Sequence, residues 1–583
     1  MEFAKGSRSR ILAILVLSVM AIFVMRLFYI QIIQHSYYAE QADGEYIKQF
    51  VLHAERGEIY AMDGDRPTER PLVMNERVYT VWADPSVVKD KPKIVEVLNR
   101  VAGGNTRKDF AKYLDVNNSR YQVLATKVTR TQAEMIKKEK LPGVGFEAVS
   151  QRVYPEGQLA SQVLGFVNAD GEGQYGFEQF NDEMLKGKNG ELKTVTDVRD
   201  VPLTIGDKNI RQPAVDGKNV VLTIDRNIQA KVEATLADVA GKNGAKRVSA
   251  IVMNPNNGQI IAMANMPTYN SSKINEVTDV AAFNNDVISY PYEVGSVAKT
   301  FTVAMGLDRG VITPQTTYNN MGYVKVYDAI INNADKGRKL GTITMQDALD
   351  WSLNTGMVDI TARLGGDGNI SPQSRDVMYD YLRNKFKLGT KTGVELAGEG
   401  AGTIISPTEE QGNAVRYSNM SFGQGMDLTM VQTAAGFCSV VNGGTYYAPT
   451  VIGGYMEDDK FKKIDVKSAV KNVISANASV QAREMIHNAH YATYMPSNER
   501  EGYYIGGKTG TSQTIDAKTG KYSNENTIAT YLGFGGNDPA KPAYVIMTSV
   551  QGDGNYGGGT DAKPIFNDIS NWMIDYLKLQ PKG

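Results

Sequence analysis

The sequence predicts an α+β protein with three parts: an N-terminal transmembrane helix, an extended mixed segment, and a C-terminal domain whose antiparallel sheet is packed by helices. Three patterns lead there. Ile11 to Ile33 is almost wholly apolar, broken by Arg26, Tyr29 and Gln31, and about 20 such residues span a bilayer. From there to roughly residue 215, short β-like runs such as Val78 to Ala83 mix with helical ones such as Arg130 to Lys140. Beyond residue 215, β-hairpin patterns at both ends bracket a helical middle.

Composition narrows the function classes. A chain of 583 residues exceeds one ordinary core, and 42% hydrophobic with 22% charged residues is ordinary for globular protein. A formal net charge of −1 removes the broad attraction on which a general nucleic-acid binder depends. Cys438, the single cysteine, lies in the apolar run Thr433 to Val441, where a buried structural thiol is expected. The four histidines are His35, His53, His487 and His490, and no H-E-x-x-H pattern occurs. No metal or other cofactor is therefore expected, and with so few histidines lysine is the better base for an activated serine.

The segments follow in order. Lys5, Arg8 and Arg10 precede the apolar stretch and place the N-terminus in the cytoplasm. A cleaved signal peptide would have a shorter apolar core ending in small residues, whereas Phe28 to Ile33 is bulky, so an uncleaved anchor is expected over residues 1–35. The mixed segment is 36–215, and the polar stretch Asn209 to Lys218, with Pro213 and Gly217, reads as a hinge into the last domain, 216–583. That domain opens with a strand, Val220 to Asp225, and a helix, Asn227 to Val239. The runs 248–253 and 259–264 flank a Pro/Asn/Gly cluster as a hairpin, Thr527 to Phe534 and Ala543 to Val550 form another, and Ile565 to Leu577 reads as a closing helix.

Three motifs carry chemistry. In Ser296-Val297-Ala298-Lys299 the serine and lysine share a helix face one turn apart, and Ser296 sits at the helix's positive end. The following run to Asp308 is apolar on most sides, so the helix is buried, which would hold Lys299 neutral and able to take the serine proton. Thr344 to Asp347 is a capping-box variant that opens a short helix, after which Ser352-Leu353-Asn354 falls in a break. Lys-Thr-Gly occurs three times, at 391, 508 and 518. The copy at 391 lies in a loop and that at 518 in a polar turn. Lys508-Thr509-Gly510 lies on a strand, where an acyl donor could pair along the edge and glycine leaves room for its backbone.

In this order the motifs resemble those of class B penicillin-binding proteins, whose fold is serine β-lactamase-like. The mixed segment adds Arg56-Gly57-Glu58-Ile59-Tyr60 with Asp63-Gly64, then Arg152-Val153-Tyr154-Pro155, Leu164 to Val167, Gly176-Phe177-Glu178 and Leu185 to Gly190, in the order of that family's pedestal domain. The resemblance implies a D,D-transpeptidase that cross-links peptidoglycan stem peptides ending in D-Ala-D-Ala and is acylated by β-lactam antibiotics. It implies Ser296 as nucleophile, Lys299 as base, Ser352 as proton relay, Asn354 as a contact to the substrate amide, and Lys508 as partner of Ser352. It further implies Thr509, Gly510 and Thr511 as substrate-binding residues and the N–H groups of Ser296 and Thr511 as the oxyanion hole. It also implies a single-pass protein of the bacterial cytoplasmic membrane, partnered by a SEDS glycosyltransferase (FtsW-like, alternatively RodA-like) and other divisome proteins. Val78 to Pro85 looks more like the septal (FtsI-type) branch than the elongation branch. A catalytically silent scaffold of the same fold is the non-enzyme rival. A class A β-lactamase would carry E-x-x-L-N between Asn354 and Lys508, where none occurs.

Overall fold

The computed structural model describes residues 3–38, 47–116, 118–195, 210–335, 337–465, 468–493, 500–515 and 522–581. The chain divides into two compact units, Met1–Arg56 with Lys186–Gly217, and Gly57–Leu185 with Lys218–Gly583.

In the first unit, the helix Phe3–Phe28 runs into a π-helical turn, Tyr29–Ile33. Within Arg8–Ile33 the most apolar 18-residue stretch has a mean hydropathy of 2.7, and among the described residues this is the one helix long and apolar enough to cross a membrane. At 1.5 Å per residue its 26 residues reach about 39 Å, more than the roughly 30 Å hydrocarbon core. Ile14, Leu17 and Phe23 are about two-thirds exposed, so this apolar surface has no protein cover. The unit's other element is an antiparallel sheet in which Gly190–Val195 lies between Ile47–Leu52 and Ile210–Gln212. The stretch read as a hinge, Asn209 to Lys218, contains the short strand Ile210–Gln212, whose backbone groups are satisfied by pairing.

The second unit is organised by a five-stranded antiparallel sheet. Its strands run Ile260–Met266, Arg247–Met253, Tyr544–Gln551, Tyr522–Gly535, Gly506–Ile515. Side chains alternate across a strand, and Arg247–Met253 shows the result. Val248, Ala250 and Val252 face a core shared with the helices Arg226–Asn243 and Lys563–Tyr576, while Ile251 and Met253 face the larger core on the other side. That larger core holds the helix Met430–Val441, all twelve residues of which are buried, Cys438 among them. Local chemistry fixes the first helix at both ends: the Asp225 carboxylate accepts from the N–H groups of Asn227 and Ile228 at 2.9 and 3.0 Å, and Gly244 takes a left-handed φ of +63° at the C-cap.

Around this lie smaller sheets. Gln122–Val128, Met74–Ala83 and Val144–Val153 form an antiparallel sheet packed by the helices Lys91–Ala102 and Arg130–Lys138. Ile59–Asp63 pairs in parallel with Asn219–Asp225, with Val220 opposite Ile59. A strand of the mixed segment and the strand that opens the C-terminal domain therefore share one sheet.

Two sequence motifs 26 residues apart meet in the interior. Arg152 Nε donates to Glu178 Oε1 at 2.8 Å, the side chains being 5% and 0% exposed, and Arg152 Nη1 donates to Asn75 Oδ1 at 2.9 Å. Removing one partner of a buried ion pair leaves the other charge uncompensated, at a cost of about 3–5 kcal/mol. Glu178→Gln is therefore expected to lower stability by an amount in that range in chemical unfolding of the purified protein. A loss of about 0.5 kcal/mol or less, ordinary for a surface change, would contradict this role.

Candidate active site

The segment carrying Ser296 begins as a turn of 3-10 helix, Gly295–Ala298, and becomes α-helix over Lys299–Asp308. Side chains three apart eclipse in a 3-10 turn, so Ser296 and Lys299 lie along one line. From Lys299 to Leu307 every residue is buried. Gly295 has φ +62°, a region glycine enters without strain, and a Cβ there would stand 2.8 Å from the Thr511 carbonyl oxygen. At Gly510 a Cβ would stand 2.6 Å from the Val294 carbonyl oxygen. The turn carrying Ser296 and the strand carrying Lys508 therefore touch backbone to backbone. The room that glycine leaves at 510 is filled by the protein's own chain.

Lys299 is 1% exposed. Its Nζ donates to the Ser352 carbonyl at 2.6 Å and to Ser352 Oγ at 3.0 Å. Ser352 can offer both oxygens because it adopts a left-handed φ of +55° in the turn between the helices Met345–Asp350 and Asn354–Arg363. The first of these opens on the expected capping box, Thr344 with Asp347. Burial, and after it the charge of Lys508, holds the Lys299 amine well below its ordinary value. Lys508 is 5% exposed, and its Nζ lies 3.2 Å from the Thr509 carbonyl. Burial pushes its pKa down to about 8, against an opposing pull from Asp350.

Ser296, Ser352, Asn354, Lys508, Thr509 and Thr511 line one cleft of about 390 Å³. Lys299 stands behind Ser352, and Gly510 faces Val294 rather than the cleft. The strand Gly506–Ile515 forms an edge of its sheet, paired on one side to Tyr522–Gly535, which leaves an edge where an extended peptide could add. Chemically this is a buried amine of lowered pKa bonded to the Ser352 hydroxyl, with the Ser296 hydroxyl and a second lysine, Lys508, lining the same cleft.

Comparison with known proteins matches two domain families. Residues 248–571 match the penicillin binding protein transpeptidase domain and 51–222 the penicillin-binding protein dimerisation domain. The chain belongs to the penicillin-binding protein transpeptidase family. With both domains present, this penicillin-binding protein is of class B, a serine-type peptidoglycan D,D-transpeptidase. It is 29% identical to stage V sporulation protein D of Bacillus subtilis, over 99% of this chain and 87% of that protein. It is 26% identical to the peptidoglycan D,D-transpeptidase FtsI of Escherichia coli, over 97% of this chain and 91% of that one. Crystal structures of penicillin binding protein 2X from Streptococcus thermophilus (TM-score 0.71, 22% identity, 91% of this chain and 81% of that one) and of penicillin binding protein 3 from Mycobacterium tuberculosis with aztreonam (0.67, 23%, 92% and 98%) share the fold.

Other parts of this penicillin-binding protein's cleft were not evident from motifs. Asp335, Arg338, Asp350, Trp351, Phe422 and Gln424 also line it. The segment at 422–424 is placed by Gly423, φ +91°, whose carbonyl accepts from the Gly295 N–H at 3.2 Å. Its sequence signal is the Gly423-Gln424-Gly425 punctuation. The loop copy at Lys391 is structural: Thr392 and Gly393 N–H groups donate to Glu399 at 2.5 and 3.1 Å. The copy at Lys518 lies outside the described residues. His487 Nδ1 contacts the Ile505 carbonyl at 2.6 Å and His490 Nδ1 contacts the Tyr531 hydroxyl, so both serve packing.

The two lysines predict a bell-shaped pH dependence of acylation by a β-lactam. The acid limb falls as Lys299 gains its proton. The alkaline limb falls through about 8 as Lys508 loses its own. Acylation rates measured from pH 5 to 10 are the check, and Lys508→Arg is expected to move the alkaline limb upward. A wild-type rate constant that stays flat through pH 8–9 would show that the charge on Lys508 is not used.

Proposed function

We propose that this transpeptidase acts in septal wall synthesis through a Ser296 acyl-enzyme. The observation that carries the catalytic part is Lys299, buried and holding both oxygens of Ser352 at 2.6 and 3.0 Å, one turn beyond Ser296. Ser296 Oγ attacks the penultimate D-Ala carbonyl and its proton passes to Lys299. The N–H groups of Ser296 and Thr511 hold the oxyanion, typically about 3 kcal/mol per donor. As the C–N bond breaks, Ser352 relays the proton to the departing D-Ala amine. An amine of a second stem peptide then attacks the ester and frees Ser296. Thr509 and Thr511 bind the donor's terminal carboxylate, Gly510 keeps their strand against the nucleophile turn, Lys508 supports the Ser352 side, and Asn354 contacts the substrate amide. A β-lactam enters the same sequence, but its broken C–N bond leaves the amine tethered, so the ester persists. The complex of the Mycobacterium tuberculosis relative with aztreonam supports that ligand class.

In this reading residues 1–35 form the tail and anchor, 36–215 the pedestal and 216–583 the transpeptidase domain. Lys5, Arg8 and Arg10 keep the N-terminus cytoplasmic, and the catalytic domain faces outward. The pedestal joins the anchor to the transpeptidase domain, and the enzyme works with a SEDS glycosyltransferase (FtsW-like) making the glycan. Similarity to FtsI over 97% of this chain supports the septal role. Similarity to a stage V sporulation protein over 99% of it favours a second reading, wall synthesis confined to spore formation. Depletion separates them: septal work predicts filaments lacking cross-walls, sporulation work predicts normal growth with failed spores, and rounded cells would indicate elongation instead.

Labelling by a fluorescent penicillin tests the chemistry. Ser296→Ala is expected to abolish it, and Lys299→Ala to slow it by orders of magnitude. Lys508→Ala should impair it severely, while Lys518→Ala should leave it unchanged. Undiminished labelling of Ser296→Ala, or a reversed order of the two later lysines, would refute the assignment.

A further inference from the structure

The helix Asn354–Arg363 begins without a cap of its own, since its N-cap residue is Leu353. The first N–H groups of a helix have no partner within it, and Thr355, which carries one of them, is buried. The acceptor comes from another part of the chain: Thr355 N–H donates to Asn333 Oδ1 at 3.0 Å. One residue earlier, Asn354 Nδ2 donates to the Asn332 carbonyl at 2.9 Å. Both acceptors lie at the end of the hairpin formed by Tyr323–Val326 and Ala329–Asn332.

A second carboxamide fixes the first. Asn320 Oδ1 accepts from the Gly322 N–H, from Asn333 Nδ2 and from the Thr355 hydroxyl, each at 3.0 Å. Its Nδ2 donates to the carbonyls of Arg338 and Lys339 at 3.0 and 2.8 Å. With the Thr355 proton committed to Asn320, the Tyr318 hydroxyl donates to Thr355 Oγ1 at 3.1 Å. Asn320 and Asn333 are 1% and 2% exposed. A buried polar network satisfied in this way is rigid and specifies one geometry.

What it holds in place is the turn at Ser352. A left-handed φ at a non-glycine residue persists only where the surroundings enforce it. On the N-terminal side, the N–H groups of Ser352 and Leu353 donate to the Leu349 and Ala348 carbonyls at 3.1 and 2.8 Å. On the C-terminal side stand the contacts of Asn354 and Thr355. We propose that Asn333 and Asn320 are positioning residues for acylation: they pin the start of this helix, and through it the carbonyl and hydroxyl of Ser352 that hold Lys299. The inference rests on the roles given above to Ser296, Lys299 and Ser352.

Stopped-flow acylation of the full chain by a chromogenic β-lactam separates three quantities: the pre-acylation dissociation constant, the limiting acylation rate, and the labelled amplitude. Small misplacements of reacting groups can cost about 100-fold in rate. Asn333→Ala is expected to lower the limiting rate by about 10- to 100-fold, with the dissociation constant within about threefold of wild type. Thr355→Val removes the hydroxyl at nearly constant shape and is expected to lower that rate by about three- to tenfold. Asn320→Ala combined with Asn333→Ala should cost less than the product of the two single effects, because both act on one network. If Asn333→Ala lowers only the amplitude while the labelled fraction reacts at the wild-type rate, the carboxamide serves folding alone and the proposal is overturned. Should Asn333→Ala fail to fold, an unchanged limiting rate in Thr355→Val overturns it equally. Ser296→Ala run in parallel separates the levels: persistent labelling there removes the catalytic reading itself, whereas a dead Ser296→Ala beside unchanged rates in the network variants removes the positioning role only.

Discussion

An amine deprived of water governs this site. Lys299 is 1% exposed, and no carboxylate among the described residues pairs with it. Its contacts are the two oxygens of Ser352, and the nearest charge that acts on it is the like charge of Lys508. Moving a lysine from water to such a place disfavours its protonated form. The native state then binds fewer protons than the unfolded chain. The sign follows from linkage: for a lysine lowered on folding, stability rises with pH up to the unfolded value near 10.4 and is diminished at neutral pH. The apolar helix around Lys299 offsets this cost, since its residues to Leu307 are all buried. A buried amine of lowered pKa and a well-packed core are thus the same piece of structure.

The second constraint is steric. Three segments far apart in sequence meet at the cleft with main chain against main chain. Gly295 approaches the Thr511 carbonyl, Gly510 approaches that of Val294, and a Cβ at Gly423 would stand 1.9 Å from the Gly295 carbonyl oxygen. Contact this close lets the five-stranded sheet fix the turn carrying Ser296 directly, without intervening side chains that could change rotamer. The glycine of Lys-Thr-Gly acts inside the protein, joining two walls of the cleft, while Lys508, Thr509 and Thr511 face the space where chemistry occurs.

Much of this was legible in the chain because it is local. The hairpin around Asn254 to Gly258, the capping box at Thr344 and Asp347, the buried helix after Ser296 and the apolar N-terminal span all rest on residues within a few positions of one another. The strand location of Lys508, as against the loop at Lys391, was legible from its flanking glycines and β-branched neighbours. Contacts across long separations were not. Nothing near Leu353 reveals that Asn333 caps its helix, and nothing near Ile59 reveals a parallel partner at Val220. The positive φ of Ser352 left no trace either, since serine does not advertise it as glycine would. Arg152 and Glu178 were each visible as part of a motif, but their ion pair became visible only once a strand and a helix were packed together.

The central claim is that burial holds the Lys299 amine well below its ordinary pKa, and a direct titration tests it. Protein labelled with [ε-13C]lysine, with the Lys299 resonance assigned by its loss in Lys299→Arg, reports the charge on that amine through its carbon shift. The account predicts a midpoint well below the ordinary lysine value. A Lys299 resonance that stays in the ammonium range and titrates near 10 would contradict it.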